Sequence, residues 1–589
     1  MIQSLMHGRL ENPMARPDTI TFTIAIDALA KSGASDAPQR AEALLQQMKD
    51  LTANGWHGLK PNMKTYSTVM SAWANSQQPG AAQRTEALLK ESPEPSAISF
   101  NIVMDAWSKS DDVGAADRCY QILQHMKKLS NNSLTHEMKP DAIAYSTVIA
   151  AFAKNGRAKE AESIMQELLD DFERTNDPNL APNRILFNSL INAWAQSGEQ
   201  GAAQRAEALL QKMHTMATAT NNSTLFPDVI SFNAVINAWA KSNEAFAVSR
   251  AEAILQRMYE IDKSGFPGVK PNVHTYSTVL DCLAKSRSKD AAIRAEALLE
   301  VMLERYNAGD IHVMPNTISF NIVINAFAKS RDRDAAVKAA AIFARMKACG
   351  VQPNTQSYNS LISAWTNSRD SQAAIKAEGY LREMKMLCKS GDQSCKPSTI
   401  TFNAVIHAWS TSRNPHAAKK ALAVLEDMKL WNASGHRDCM PNFITYSSLL
   451  NVVCKSKSLD KAQMAWDILS EMEEQSIPPN IKSYNSAMMA CAFSESFDLQ
   501  SREKAFMVAS EIFQRANSQL NDKPSAETYC FFFRAAAGLG HDKEVEDIYK
   551  LCCQAGFEND ESIRHYIKIM APHLSRSLTE PSEVTTNNC

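Results

Sequence analysis

Pro95-Ser96 followed by AISFNIVMDAWSKSDDVGAADRCYQILQHM, residues 97–126, carries the pattern on which the fold turns. Phe100, Val103, Met104 and Trp107 recur at i, i+3, i+4 and i+7, the apolar stripe of an amphipathic helix. Ser108-Lys109-Ser110-Asp111 breaks the stripe, and Ala116, Cys119, Leu123 and Met126 open a second one. The spacing predicts a helix from Ala97, another over Ala115–Met126, and a polar loop over Leu129–Lys139. The residue before a proline is biased away from helix, so Pro140 ends the loop and Asp141 is placed to cap the next helix.

The same phase returns along the chain. Pro17, Pro61, Pro95, Pro140, Pro182, Pro227, Pro271, Pro315, Pro353, Pro397, Pro441, Pro479 and Pro524 stand 34 to 45 residues apart. Asn, Asp or Ser follows each of them, and five residues after each comes an aromatic, from Phe22 to Tyr529. A period in this range means a repeat protein. The reading is residues 1–18 as the tail of a partial repeat, then thirteen helical hairpins over 19–560, then a short helix and polar tail over 561–589. The hairpins start near 19, 63, 97, 142, 184, 229, 273, 317, 355, 399, 443, 481 and 526. No hairpin buries its apolar face alone, so neighbours must stack, and the expected fold is an all-α α-solenoid. The second unit, Met63–Ser96, has no inserted loop, whereas segments such as Thr215–Phe226 read as surface insertions in the longer units.

Composition narrows the rest. The 589 residues include 44% apolar ones, enough for a packed core. The 62 Lys and Arg against 64 Asp and Glu exclude a globally basic coat but not a local basic line. No stretch approaches the ~20 continuous apolar residues of a membrane span. Twelve irregularly spaced Cys do not suggest a disulfide framework and suit a reducing compartment. No phosphate-binding loop, nucleophile constellation or metal-ligand spacing stands out, so no enzyme, metal or cofactor is expected.

Units such as ISFNAVINAWAKS…SRAEAILQRMYE…VKPN, from Ile230 to Asn272, resemble pentatricopeptide repeats of the pure (P-class), long-unit type. The signature is Thr/Ser-aromatic-Asn/Ser in the first helix, Leu-x-x-Met late in the second, then Pro-Asn/Asp. The resemblance covers roughly residues 19–560. Only the second unit approximates that family's usual ~35 residues. The resemblance implies a right-handed superhelix that binds single-stranded RNA, one base per repeat read by two or three side chains. It also implies a role in organellar RNA stabilisation, processing or translation, with protein partners there. The expected location is a mitochondrion or plastid, although no transit peptide is visible.

Slots are counted from the residue after Pro-Asn/Asp/Ser. The fifth holds Thr23, Ser67, Asn101, Ser146, Asn188, Asn233, Ser277, Asn321, Asn359, Asn403, Ser447 and Asn485 in the first twelve units. The last holds Asn62, Ser96, Asp141, Asn183, Asp228, Asn272, Asn316, Asn354, Ser398, Asn442, Asn480 and Ser525. Helix capping would explain the last slot. Helix propensity gives no reason for short amides and hydroxyls at the fifth, and these groups both donate and accept, as base reading requires. The resemblance assigns both slots to base recognition, with A for Ser/Thr-Asn, U for Asn-Asp, C for Asn-Ser and a pyrimidine for Asn-Asn. Units one to twelve then read A-?-U-A-U-Y-A-Y-C-Y-A-C from the 5′ end, the Ser67–Ser96 pair being unassigned. It also makes the second-slot Ile20, Ile98, Ile143, Ile185, Ile230, Ile318, Ile400 and Ile444 wedges between bases, against a bland reading as buried core. Lys31, Lys109, Lys154, Lys241, Lys285, Lys329 and Lys455 recur in the thirteenth slot as a line suited to phosphates, or as helix-end cations satisfying the macrodipole. The eleventh-slot Trp73, Trp107, Trp194, Trp239, Trp365 and Trp409, like the Met that end second helices, read as core.

Two other readings remain beside RNA binding. A protein-binding scaffold would show varied large or charged groups in the fifth slot. A repeat arm of a protein-only RNase P-like nuclease would need a catalytic domain, and the 29 residues after Asp560 cannot hold one. A zinc deaminase tail would need His-x-Glu with Cys-x-x-Cys, and neither occurs.

Overall fold

A proline and a short polar residue start each first helix. Asp141 shows the device: its carboxylate accepts from the N–H of Ala144 at 2.8 Å, and the helix Ala142–Lys154 begins at the next residue. Asn62, Asn183, Asp228, Asn272, Asn316, Asn354, Asn442 and Asn480 cap their helices in the same way. Each such cap is worth about 1 kcal/mol.

The computed structural model describes residues 17–570 apart from 77, 133–137, 221, 266–267, 287, 331, 369, 495–497, 519–522 and 538. The reading of residues 1–16 as a partial repeat, and of 571–589 as a polar tail, lies outside them. The described residues form helices and no strand. First helices begin at Thr19, Met63, Ala97, Ala142, Arg184, Val229, Val273, Thr317, Thr355, Thr399, Phe443, Ile481 and Ala526; each is followed by a second helix, and Glu561–Met570 comes last.

The described residues form two compact units, one within 1–287 and 301–314, the other within 288–300 and 315–589. Within each unit, consecutive first helices pack side by side, and second helices lie against their own first helix and the next one. This is a solenoid of helical hairpins. The fourth-slot aromatics fill its core: Phe22, Tyr66, Phe100, Tyr145, Phe187, Phe232 and Tyr276 in one unit, and Phe320, Tyr358, Phe402, Tyr446, Tyr484 and Tyr529 in the other, are all buried. Full burial of such a side chain contributes about 2–3 kcal/mol. The nine methionines from Met48 to Met472 that end second helices are buried completely.

Unit length follows the second helix, which corrects the expectation of loop insertions. That helix has 11 residues in the short second unit (Ala81–Glu91), 14 in Ala335–Ala348 and 17 in Ala373–Lys389. Thr215–Phe226 is largely the end of the helix Ala202–Thr220 plus a 3-10 turn at Ser223–Leu225. The threonines there read as loop, yet Met213 and Ala217 keep the buried i, i+4 face. Likewise the loop expected from Leu129 starts as helix, since Ala115–Asn132 continues past it. The 3-10 turn ends on a plug: Leu59, Leu180, Leu225, Val313, Cys395 and Cys439 are buried two residues before the proline. The thiols of Cys395 and Cys439 donate to the carbonyls of Pro353 and Pro397 at 3.1 and 3.0 Å, and burial pushes the Cys439 thiol up to about 11.

Candidate nucleic-acid interface

The last-slot residues serve as helix caps first. Their Oδ1 or Oγ accepts from the N–H three residues on, which leaves Nδ2 of an Asn or Oδ2 of an Asp as a second polar atom, while Ser96 has none. Asp228 carries one extra contact, Arg184 at 3.1 Å. Burial alone would push its carboxyl up, but the Ser231 N–H and the Arg184 guanidinium outweigh burial and hold it below the usual range, so it stays an anion.

The fifth-slot residues have structural partners, which corrects the view that only base reading explains them. Asn188 accepts at Oδ1 from the Ser231 hydroxyl at 2.7 Å; Asn359 and Asn403 accept likewise from Thr401 and Thr445, and Asn485 accepts from Thr528. Thr23 pairs with Thr65 at 3.0 Å and Ser67 with Ser99 at 3.2 Å. In every case the partner is the third-slot hydroxyl of the next hairpin. Four amides also donate from Nδ2 to the last-slot cap: Asn101 to Asp141, Asn321 to Asn354, Asn403 to Asn442 and Asn485 to Ser525, at 3.1–3.4 Å. The fifth and last slots of a unit are therefore neighbours in space at these positions. Ser146 folds back onto the Ile143 carbonyl, and Ser447 Oγ is buried without a partner, as are the Oδ1 atoms of Asn101, Asn233 and Asn321. Ser277 stands in the first compact unit and Asn316 in the second.

The eight second-slot isoleucines are all 59–68% exposed, so the buried-core reading of them fails. In the first unit Ile185, Ile230 and His274 line one shallow depression with fifth-slot Asn188 and Asn233. Ninth-slot Asn192 and Asn237 complete its floor. The sequence carried a signal for that last pair. The ninth slot is polar in Asp27, Ser71, Asp105, Asn192, Asn237, Asp281, Asn325, Ser363, His407 and Asn451, on a helix whose other internal faces are apolar.

The ninth slot also divides the lysine line. Asp27, Asp105 and Asp281 sit one turn before Lys31, Lys109 and Lys285 and pair with them at 2.5–2.6 Å. Lys154 pairs with Asp111 and donates to the carbonyls of Lys109 and Ser110, capping the end of the neighbouring first helix. Lys241, Lys329 and Lys455 are exposed, with no ion-pair partner among the described residues.

The tryptophans pack as expected but also anchor a network that sequence reading missed. The indole N–H groups of Trp73, Trp107, Trp194 and Trp239 donate at 2.9–3.1 Å to Glu42, Glu86, Glu162 and Glu207 on the second helix of the preceding hairpin. Arg84, Arg118, Arg205 and Arg250, on the same hairpin as each Trp, bind the same carboxylates. The series ends in the second unit, where Ala340 stands in the acid's place and the N–H of Trp365 is buried without a partner, as is that of Trp409.

Among the described residues, no group of His, Cys, Asp and Glu could hold a metal ion, and no helix is long and apolar enough to cross a membrane.

Comparisons with known proteins agree with the repeat pattern. Residues 143–171 match the family model of the PPR repeat, residues 315–367 that of the PPR repeat family, and residues 382–521 that of the pentacotripeptide-repeat region of PRORP. Curated proteins give no match. Among solved structures the chain is similar to the pentatricopeptide repeat protein PPR10 from maize, at 18% identity over 96% of this chain and 78% of that one, with a TM-score of 0.45. It is also similar to PPR10 in complex with an 18-nt psaJ RNA element, at 16% identity over 97% and 86%, with a TM-score of 0.40. Three separate stretches thus match family models inside one continuous Pro-Asx-aromatic phase, and this chain carries pentatricopeptide repeats, including a long-unit region.

Proposed function

We propose that this chain binds single-stranded RNA along the first-helix face, one base per repeat, and serves RNA stabilisation, processing or translation in a mitochondrion or plastid. The exposed isoleucines carry the reading. A large apolar side chain repeated in open solvent beside a polar floor, once per hairpin in eight hairpins, calls for a flat apolar partner. A nucleobase is such a partner, with an apolar face and a polar edge. Fifth-slot Asn188 and Asn233 line the same depression as Ile185 and Ile230, and their amides carry the donors and acceptors that such an edge pairs with. A protein-binding scaffold has no need of one isoleucine per repeat. Selection of RNAs from a random pool by the purified protein tests the proposal; recovery of no motif overturns it.

Ile185→Ala with Ile230→Ala is expected to weaken binding of the selected RNA about fivefold, the loss of part of the stacking against two bases. The melting temperature should stay within a degree or so, because these side chains already face water. A large fall in melting temperature would return them to the core.

Salt titration separates the lysines. Lys241, Lys329 and Lys455 have no carboxylate partner among the described residues, so replacing all three by Ala should reduce the slope of log K against log salt by about 2, at ~0.7 per phosphate contact on a single strand. The same change at Lys31, Lys109 and Lys285 should reduce it less, because Asp27, Asp105 and Asp281 already neutralise them. Equal effects from both triples would show that the ion pairs open on binding.

A further inference from the structure

The third-slot hydroxyl of one hairpin reaches back to the fifth-slot amide of the hairpin before it. Thr445 Oγ1 of the eleventh unit lies 2.7 Å from Asn403 Oδ1 of the tenth. That hydroxyl already accepts the N–H of Asn442 at 3.0 Å. Its one proton has two acceptors within reach, the Asn403 carbonyl oxygen at 2.7 Å and the cap oxygen of Asn442 at 3.1 Å, and the shorter contact holds it. Ser231 toward Asn188 and Thr401 toward Asn359 repeat the arrangement at 2.7 Å. An amide whose oxygen is engaged this way points its nitrogen elsewhere. Asn403 Nδ2 faces the cap, to which it donates at 3.3 Å, and its second hydrogen remains for a ligand.

We propose that the third-slot hydroxyl is a positioning residue for base specificity: it locks the preceding fifth-slot amide so that the unit presents an N–H donor, and not a carbonyl, to the base. The inference rests on the RNA-binding reading above. A locked amide suits a base that offers an acceptor, such as the O2 of a pyrimidine. It disfavours guanine, whose Watson–Crick edge sets two donors, N1–H and N2–H2, beside its single O6 acceptor. Without the lock only the Nδ2 contact to the cap holds the amide, 3.4 Å at Asn101 and 3.2 Å at Asn321, and once that contact opens the carbonyl can turn to guanine. Three amides lack the lock: Asn101, because the next hairpin has Ala144 in the third slot, and Asn233 and Asn321, because the hydroxyls of Thr275 and Ser357 turn to their own caps at 3.2 and 3.1 Å instead.

The test compares four full-length proteins by selection from a random RNA pool, with melting temperature and affinity for each protein's best RNA measured in parallel. Thr445→Val removes the lock in the tenth unit and also a capping contact. Ser483→Ala removes the equivalent capping contact, to Asn480 at 3.2 Å, next to Ser447, where there is no amide to orient. Ala144→Ser supplies a hydroxyl to Asn101. Thr445→Val should lower discrimination against guanine at one position of the motif from about tenfold to about twofold, the scale of a single base contact. Affinity for the best RNA should change little. Ser483→Ala should lower the melting temperature by a similar amount and leave the motif unchanged, and Ala144→Ser should sharpen a different single position severalfold. A wild-type motif that Thr445→Val leaves intact overturns the lock while the RNA reading stands. Failure of all four proteins to select any motif overturns both.

Discussion

Glu86→Ala is expected to destabilise the first unit by about 3 kcal/mol at neutral pH. The carboxylate joins three hairpin elements: the Trp107 indole donates to it at 3.1 Å, Arg118 Nε at 3.0 Å, and Lys90 pairs with it at 2.9 Å from its own helix. Removing the acid leaves a buried indole N–H and a half-buried guanidinium without their acceptor, and stranding such groups costs more than the net worth of the contact. The pH dependence carries the sign. The Arg118 guanidinium holds Glu86 down at about 2, against an ordinary value near 4.5. The group binds a proton more weakly folded than unfolded, so its contribution is complete above about pH 5 and is lost as pH falls toward 2. The shift would correspond to about 3 kcal/mol, and solvent reaching Arg118 reduces the realised value to roughly 2. Glu86→Gln, which keeps an oxygen for Trp107 but drops the charge, should lie between wild type and Glu86→Ala at pH 7. Urea unfolding followed by circular dichroism from pH 7 to pH 2.5 checks this. The gap between wild type and Glu86→Gln should close on acidification, and a constant gap would show that charge is not what the node uses.

The two kinds of information in this chain were not equally legible. Helix starts could be read because a proline and a cap act within four residues, as Pro140, Asp141 and the Ala144 N–H show. The fourth-slot aromatics and the second-helix methionines were legible as core because helical period is also local. The Trp–Glu–Arg nodes were not, since Trp239 meets Glu207 across 32 residues and nothing in either helix alone marks the pair. The lengths of second helices were misjudged for a related reason. Thr215, Thr218 and Thr220 have weak helix propensity, and burial of Ala217 on the same turn, a tertiary effect, holds the stretch helical. The fifth slot shows where a one-helix argument stops. An asparagine with no purpose inside its own helix turns out to be bonded to the next one, so its restriction to Asn, Ser and Thr serves packing and is equally suited to recognition.

That double service sets the terms of the largest specificity change to be expected, the switch of a whole unit from A to U. In the eleventh unit Ser447 stands in the fifth slot and Asn480 caps the helix Ile481–Ala492 in the last. Ser447 Oγ is buried and without a partner, so an Asn there breaks no bond, and Ser483 lies in the third slot of the next hairpin with a hydroxyl to receive its oxygen. Asp caps as well as Asn does, so Asn480→Asp retains the contact to the Ser483 N–H, now 3.0 Å. The chemistry at the base then inverts. An Asn amide in the last slot offers a donor and an acceptor, which matches adenine; a carboxylate offers acceptors only, which suit the N3–H of uracil and repel the ring nitrogens of adenine. The fifth-slot amide supplies a donor for a uracil oxygen, where serine had a single short hydroxyl. Ser447→Asn with Asn480→Asp should therefore move one position of the selected motif from A to U. A hydrogen-bonded base is worth about 1–3 kcal/mol against a mismatched one, so the preference between RNAs differing only there should swing by up to about 100-fold. Competition between those two RNAs reads it directly. Asn480→Asp alone should weaken A without winning U fully, because serine cannot reach the pyrimidine oxygen. If the folded double variant still favours A, the fifth and last slots serve packing alone in this unit, and the base is read from elsewhere on the face, with ninth-slot Asn451 and sixth-slot Ser448 the next residues to change.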